Sequence, residues 1–299
     1  MQKSKWHDIN GFSPWPSVES ITRRLGENGL HIESMHLVPL GARTAEIFGV
    51  WKSSGERVRF CLARQRDPDP RVVCPLDEEF HVLRQIHARS PRLVPEPMVL
   101  STSDEDEPLM VLNWVCGDTL GRRLRGGEHI EEVLEIISSA LHNLHLSGIH
   151  CDLSRVTRQI RLKPLVEKIE RSPLRGILLP STIWDQVIAV AYDVIDKLSL
   201  PTLLHGDAHA YNLIESSQGP CLLDFELLAV GPPEIDNARS WVLLQTQTRG
   251  LASTFRHHEQ LVCDFMVAAS FLTFQTDFYN EESKRCIASS IQSIVKQIL

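Results

Sequence analysis

The feature that most constrains this 299-residue chain is a pair of short motifs in its last third. Residues 204–213 read LHGDAHAYNL, and residues 221–226 read CLLDFE. The aspartate of the first motif, its asparagine and the aspartate of the second motif can face one another across a tight loop. Carboxylate and amide oxygens placed in this way can orient a hydroxyl and hold a magnesium-bound polyphosphate. The two motifs therefore predict a phosphoryl-transfer centre.

The overall charge restricts the kinds of partner. The chain carries 31 basic and 38 acidic residues, which gives a net charge of −7 and a pI near 6.0. A general nucleic-acid binder normally has a basic surplus, so nucleic acid is not an expected partner. A positively charged small molecule is compatible with this balance.

Cysteine usage and hydropathy indicate the compartment. The seven cysteines are scattered singly, without a C-x-x-C pair, which is typical of reduced residues in a cytoplasmic protein. No signal peptide and no apolar run of roughly 20 residues is present. We expect a soluble, cytoplasmic protein without a membrane partner. The sequence makes no prediction of the oligomeric state.

The first part of the chain has the pattern of a β-rich unit. Segments 36–40, 44–51 and 58–64 alternate with turn residues and predict a three-stranded antiparallel meander. Residues 75–87 place apolar side chains at a helical period, and 109–112 form an apolar strand. We therefore expect a sheet with at least one helix in this part.

The second part is predicted to be helical apart from the two motifs. Apolar residues recur there at a helical period. The predicted helical stretches are 130–145, 164–171 and 183–198, and 236–299 is predicted to be helical throughout. The change in pattern divides the chain into a β-rich part, residues 1–114, and a mostly α-helical part, residues 115–299.

The order of the motifs resembles that of a known family. His205-Gly206-Asp207, followed by Asn212 and by Asp224-Phe225-Glu226, is similar to the aminoglycoside phosphotransferase and choline kinase superfamily. Protein kinases keep the related order H-R-D-x-x-x-x-N and D-F-G. The resemblance implies an α+β, protein-kinase-like fold of two lobes: an N-terminal antiparallel-sheet lobe that binds nucleotide, and a mostly α-helical C-terminal lobe for catalysis and substrate binding.

The resemblance implies separate roles within the motifs. Asp207 corresponds to the catalytic aspartate that orients the attacking hydroxyl, and His205 to a residue that braces its loop. Asn212 and Asp224 correspond to magnesium ligands. The positions of supporting polar groups are His209, Glu226 and Asp236.

The resemblance also implies a nucleotide site in the first lobe. Arg64 takes the place of the strand lysine that contacts the α- and β-phosphates, and Glu79 that of its helical partner. An arginine at this position presents a planar guanidinium group with several N–H donors, where a lysine presents a single compact ammonium charge. Gly41 lies in the phosphate-covering loop, while Asn113 and Val115 lie in the hinge that holds the adenine edge.

The function implied is transfer of the γ-phosphoryl of ATP or GTP, with magnesium, to a hydroxyl of a small molecule. The last hundred residues contain more acidic than basic side chains, which favours a cationic acceptor such as an aminoglycoside or choline. Antibiotic resistance and metabolism are both compatible physiological roles.

Three alternatives remain at this point. His205, Asp207 and His209 have a spacing that also suits a zinc or iron metallohydrolase. A pseudokinase-like nucleotide-binding module and a kinase of protein hydroxyls are the others. A P-loop enzyme is excluded, because the chain lacks G-x-x-x-x-G-K-[ST].

Overall fold

The structure is a computed structural model. It describes residues 15–40, 43–51, 54–64, 73–102, 108–127, 129–216, 219–248, 256–274 and 280–299. The chain divides into two compact units, Met1–Val115 and Cys116–Leu299. The division lies one residue after the predicted boundary. The first unit is an antiparallel-sheet lobe and the second a mostly helical lobe, so the predicted fold class is confirmed.

The sheet lobe is built on five antiparallel strands in the order β1-β2-β3-β5-β4. The first three strands pair in succession, as the predicted meander requires. The strands are β1 (Ile32–Pro39), β2 (Thr44–Trp51), β3 (Arg57–Arg64), β4 (Pro97–Ser101) and β5 (Leu109–Asn113), and the helices are α1 (Val18–Glu27) and α2 (Leu76–Arg89).

Helix α1 closes one side of the sheet core. Its Ile21 and Leu25 are fully buried in a cluster that includes Ile47 and Leu62 of the strands. Arg24 is also buried, and its guanidinium donates to the hydroxyl and the carbonyl oxygen of Ser101, each at 3.1 Å. A buried charge needs such partners, so this contact fixes α1 against β4.

The helical lobe contains seven helices within the described residues. Those before the motifs are α3 (Leu120–Arg125), α4 (Ile130–Gly148), α5 (Leu162–Glu170) and α6 (Ser181–Ile195), and those after them are α7 (Pro233–Thr248), α8 (His258–Phe274) and α9 (Glu281–Ile298). Helix α8 is buried on nearly all sides, between α7, α9, α5 and α6. Its Phe265 meets Trp184 of α6 edge to face, with ring centroids 5.5 Å apart.

Two small antiparallel sheets frame the motifs. β6 (Thr202–Leu204) pairs with β9 (Ala229–Gly231), and β7 (Leu213–Ser216) pairs with β8 (Gly219–Leu222). The first motif connects β6 to β7, and the second follows β8. Each strand pair joins the start of one motif loop to the end of the other, and so fixes where these loops begin and end. No helix in the described part of the chain is both long and apolar enough to cross a membrane.

Candidate active site

The loop after β6 has a backbone path that only glycine permits. Gly206 has a φ of 80°, in the left-handed region that favours glycine. A Cβ at this position would overlap the carbonyl oxygen of Leu227 in the loop before β9. The glycine therefore lets the backbone of the first motif pass directly against the loop that follows the second motif.

His205 joins the two motifs through both of its ring nitrogens. It is fully buried, its Nε2 lies 2.9 Å from the carbonyl oxygen of Leu223, and its Nδ1 accepts from the backbone N–H of Asp207 at 3.2 Å. The ring also packs on Phe225, with centroids 4.4 Å apart. Burial lowers the pKa of His205, although the nearby carboxylates of Asp236 and Asp207 act in the opposite direction. The neutral ring with its proton on Nε2 suits both hydrogen bonds.

Asp236, near the start of α7, holds the backbone of the same loop from behind. One carboxylate oxygen accepts from the backbone N–H of His205 at 2.7 Å, and the other from that of Gly206 at 2.8 Å. The first oxygen also lies 3.2 Å from Nε2 of His145 on α4. Burial alone would raise the pKa of Asp236, but these interactions outweigh it and hold that pKa below its usual value.

Asp207 presents its carboxylate beside two other side chains of the helical lobe. Its Oδ1 lies 3.3 Å from a terminal nitrogen of Arg239 on α7, and its Oδ2 lies 3.7 Å from Nε2 of His209. About a fifth of the Asp207 side chain is exposed, at 21%. The carboxylate is thus held at its sides and accessible to a small reactant.

His209 contributes to the loop as well as to the surroundings of Asp207. Its Nδ1 accepts from the backbone N–H of Tyr211 at 3.1 Å and so starts the short 3-10 turn Ala210–Asn212. Burial lowers the pKa of His209, against the opposing effect of the Asp207 and Asp224 carboxylates. These contacts suit the prediction that His209 supports the loop around Asp207.

Asn212 ends the 3-10 turn of the first motif, and Asp224 follows β8 by two residues. The Asn212 side-chain nitrogen donates to the carbonyl oxygen of Asp207 at 3.1 Å, and its backbone carbonyl accepts from Leu223 at 2.8 Å. Asp224 has a φ of 59°, an unusual value for a residue other than glycine. Such backbone strain is frequent at functional sites, where the surrounding structure imposes it.

The donor set fits magnesium better than zinc or iron. The amide nitrogen of Asn212 is anchored to the carbonyl oxygen of Asp207, which leaves the side-chain oxygen available to a metal, and Asp224 offers a carboxylate. Magnesium is commonly held by one or two such oxygens together with substrate phosphates. Among the described residues, no group of three histidine, cysteine, aspartate or glutamate side chains is arranged to hold a metal. Both nitrogens of His205 are already engaged, which argues against the metallohydrolase alternative.

The predicted nucleotide residues of the sheet lobe can be described separately. Arg64 and Glu79 are buried, as is Arg43 at the start of β2. A terminal nitrogen of Arg43 pairs with the carboxylate of Glu79, and the carbonyl oxygen of Arg43 accepts from the backbone N–H of Arg64 at 3.0 Å. The Arg64 guanidinium lies over the ring of Trp15, 4.5 Å from its centroid. Arg43 therefore shares in the cluster that was predicted from Arg64 and Glu79 alone.

The remaining predicted residues are Asn113, Val115, Glu226 and Gly41. Asn113 is exposed at the end of β5, and its backbone N–H donates to Glu96 at 2.8 Å. Val115 is half-buried at the end of the sheet lobe, and Glu226 is buried in the helical lobe. Gly41 lies outside the described residues.

Three residues of these networks were not predicted from the sequence: Arg43, His145 and Arg239. Arg43 stands two positions after Gly41, in the segment already assigned to the phosphate-covering loop. Arg239 follows Asp236 by three positions, which places both on one helix face. His145 lies far from the motifs in sequence, and no local pattern points to it.

Comparison with known proteins agrees with this geometry. Residues 46–266, well over half of the chain, match the family described as APH, phosphotransferase enzyme family. The chain belongs to the phosphotransferase enzyme family. It is thus a small-molecule kinase that uses a hydroxyl group as acceptor, and the predicted resemblance is confirmed. No curated protein sequence matches the chain significantly.

Solved structures share the fold at low sequence identity. A thermostable mutant of the aminoglycoside phosphotransferase APH(4)-Ia, in a ternary complex with AMP-PNP and hygromycin B, is 12% identical with a TM-score of 0.55, and the match covers 93% of this chain and 98% of that one. APH(2")-IIIa, in complex with GDP and kanamycin, is 13% identical with a TM-score of 0.58, covering 94% and 99%. A choline/ethanolamine kinase family protein from Mesorhizobium loti is 14% identical with a TM-score of 0.54, covering 89% and 87%.

Removing the carboxylate of Asp236 is predicted to destabilise the phosphotransferase strongly. Asp236→Ala leaves two backbone N–H groups and His145 without their buried acceptor, and the loss of one member of a buried charged network costs about 3–5 kcal/mol. Urea unfolding would measure this cost. The matched control is Glu259→Ala, an exposed acid on α8, with a change within about 0.5 kcal/mol. A loss below about 1 kcal/mol for Asp236→Ala would contradict the network.

The buried ring of His205 predicts a pH dependence of stability. Its pKa is lowered in the folded state, so the unfolded chain binds the extra proton more readily. The stability it contributes is therefore present above the unfolded pKa of about 6.5 and is lost as the pH falls below that value. His205→Gln keeps an N–H donor for the carbonyl oxygen of Leu223, but glutamine, unlike histidine, does not bind a proton as the pH falls. The free energy of unfolding should fall less in this variant than in the wild type between about pH 7 and pH 5. Equal falls in both proteins would show that His205 does not titrate in this way.

Proposed function

We propose that the protein transfers the γ-phosphoryl group of ATP or GTP, with magnesium, to a hydroxyl of a small molecule, and that Asp207 orients that hydroxyl. The observation that carries the proposal is the loop around Asp207. Its backbone is fixed by His205, Gly206 and Asp236, while the carboxylate itself stays partly exposed. A phosphotransferase needs this combination, because its catalysis consists mainly of positioning and electrostatic stabilisation.

The chemical step can be followed from the residues. The acceptor hydroxyl donates a hydrogen bond to the Asp207 carboxylate, which turns an oxygen lone pair toward the γ-phosphorus. The new bond joins the acceptor oxygen to phosphorus, and the bond to the bridging oxygen between the β- and γ-phosphorus atoms breaks. The nucleoside diphosphate leaves with that electron pair. The hydroxyl proton passes to the Asp207 carboxylate and then to solvent.

Asn212 and Asp224 are the residues that would hold magnesium. The ion, when bound, neutralises charge on the phosphates. Asn212 is fixed through its side-chain nitrogen to Asp207, so the ligand oxygen and the hydroxyl-orienting carboxylate belong to one rigid unit. Asp224, whose strained backbone follows β8, supplies the second ligand.

The buried cations of the sheet lobe support a phosphate-binding role there. Arg43 pairs with Glu79, which ties the start of β2 to α2. Arg64 is held by its backbone bond to Arg43 and by the ring of Trp15. We assign contact with the α- and β-phosphates to Arg64, and the hinge contact with the nucleotide base to the backbone around Asn113 and Val115.

The acceptor is proposed only as a hydroxyl compound, since several acidic residues of the last hundred positions have partners within the protein. Asp236 serves the catalytic loop, and Asp264 is fully buried and takes two hydrogen bonds from Arg256, at 2.6 and 2.8 Å. Glu281 pairs with Lys284 on the exposed face of α9. Hygromycin B and kanamycin occur in the related complexes, so aminoglycosides are the first acceptors to test.

The experiment is a screen for magnesium-dependent consumption of ATP and GTP with aminoglycosides, macrolides, amino alcohols and sugars. With the acceptor found, Asp207→Ala should lower kcat by about 10²–10⁴-fold and leave nucleotide affinity largely intact. Asp224→Ala should remove magnesium-dependent nucleotide binding. Asp193→Ala, an exposed aspartate on α6, is the matched control and should behave as the wild type.

Three other results of these experiments would contradict the proposal or one of its role assignments. Near-normal transfer by Asp207→Ala would show that its role is wrongly assigned. Nucleotide binding without turnover of any small molecule would favour a protein acceptor or a pseudokinase-like module. Stoichiometric zinc or iron without nucleotide binding would favour the metallohydrolase reading.

The role of Arg64 can be tested with a matched pair of variants. Arg64→Met removes a charge that is predicted to bind phosphate, so the KM for the nucleotide should rise about tenfold or more. Arg64→Lys restores the point charge that the resemblance implies at this position and should retain most of the affinity. Steady-state kinetics with varied nucleotide would measure both. Equal KM values in all three proteins would place the phosphate contact elsewhere.

A further inference from the structure

We propose that Arg239 is a positioning residue for Asp207: its guanidinium fixes Oδ1 of the carboxylate, so that Oδ2 is the oxygen presented to the acceptor hydroxyl. The inference rests on the proposed function. It adds a residue to the reaction that neither the motifs nor the family resemblance assigned.

The contact geometry is the first support. A terminal nitrogen of Arg239 lies 3.3 Å from Oδ1 of Asp207, and only 18% of the arginine and 21% of the aspartate side chain are exposed. Oδ2 faces His209, whose Nε2 is 3.7 Å away. This separation is longer than a hydrogen bond, so Oδ2 keeps room for a proton donor from outside.

The second support is the way in which Arg239 itself is held. Its guanidinium carbon lies 5.3 Å from the ring centroid of Phe271 on α8. Its Nε is buried and has no hydrogen-bond partner among the described residues. A guanidinium with one desolvated donor depends strongly on its remaining anionic partner, which here is Asp207. The pair should therefore be coupled rather than incidental.

The position of Arg239 on α7 gives the arrangement its rigidity. Asp236, three residues earlier on the same helix, holds the backbone N–H groups of His205 and Gly206. One helix thus fixes both the backbone of the catalytic loop and the side chain of its aspartate. A shift of about 1 Å in a reacting group can lower a rate about 10²-fold, so fixing the carboxylate has a direct catalytic effect.

The test uses the whole chain and the release of ADP from ATP with magnesium, with water or an acceptor identified by the screen as the nucleophile. Arg239→Met keeps an unbranched apolar side chain but removes the guanidinium that lies against Asp207 and Phe271. We expect kcat to fall about 10–100-fold, while the KM for ATP changes less than about twofold. Arg161→Ala, an exposed arginine before α5, is the matched control and should keep the wild-type kcat.

A shorter variant supplies a readout that a merely structural role would not change. Arg239→Ala leaves space for a small cation, so added guanidinium ion at low millimolar concentration should restore part of kcat. It should not restore Asp207→Ala. A kcat of Arg239→Met within about twofold of wild type, or a loss that guanidinium leaves unchanged in Arg239→Ala, would overturn the positioning role.

A double-mutant cycle of Asp207→Asn and Arg239→Met tests the contact without any turnover. The shifts in the urea midpoint should be non-additive, because each single change leaves the other, partly buried group without this partner. Additive shifts would overturn the proposal even if the variants lose activity.

A wild-type protein without magnesium-dependent turnover of ATP or GTP would overturn the proposed function and this role with it. Turnover unaffected by Arg239→Met would overturn the role of Arg239 alone.

Discussion

The carboxylate of Asp236 is the constraint on which the rest of the site depends. It accepts two backbone N–H groups from the loop that carries Asp207 and faces His145 of α4, all within the buried interior of the helical lobe. A buried ionised carboxylate is stable only when such partners surround it. The loop therefore cannot change its path without leaving a charge unsatisfied, and the position of Asp207 follows from this.

Helix α7 connects this constraint to the chemistry. It begins beside β9, contributes Asp236 in its first turn and Arg239 one turn later, and packs against α4, α8 and α9. Asp207, the proposed catalytic aspartate, is thus supported from the helical core, through Arg239 and Phe271.

Much of this arrangement follows from local sequence. The strand segments of the sheet lobe and amphipathic helices such as α4 and α9 have apolar periods that identify them, and the order of Asp207, Asn212 and Asp224 identified the phosphotransferase motifs. The small sheets around the motifs were not predicted, because strands of three or four residues are too short to show a period.

The contacts between distant residues were harder to predict. Arg43 and Glu79 are far apart in sequence, as are Arg239 and Asp207, and pairing by charge alone offers many choices. The acidic residues of the last third had suggested a cationic acceptor, yet Asp236 and Asp264 have structural partners. Composition counts charges, while only the fold determines which of them are available to a ligand.

Hydrogen exchange of the backbone amides of His205 and Gly206 tests most directly whether the fold builds the catalytic loop in advance. Both amides donate to the buried carboxylate of Asp236, so in the protein without nucleotide they should exchange as slowly as amides of the helical core. Exchange at the rate of exposed loops, with protection appearing only when nucleotide and magnesium are added, would show that the ligands and not α7 organise the site.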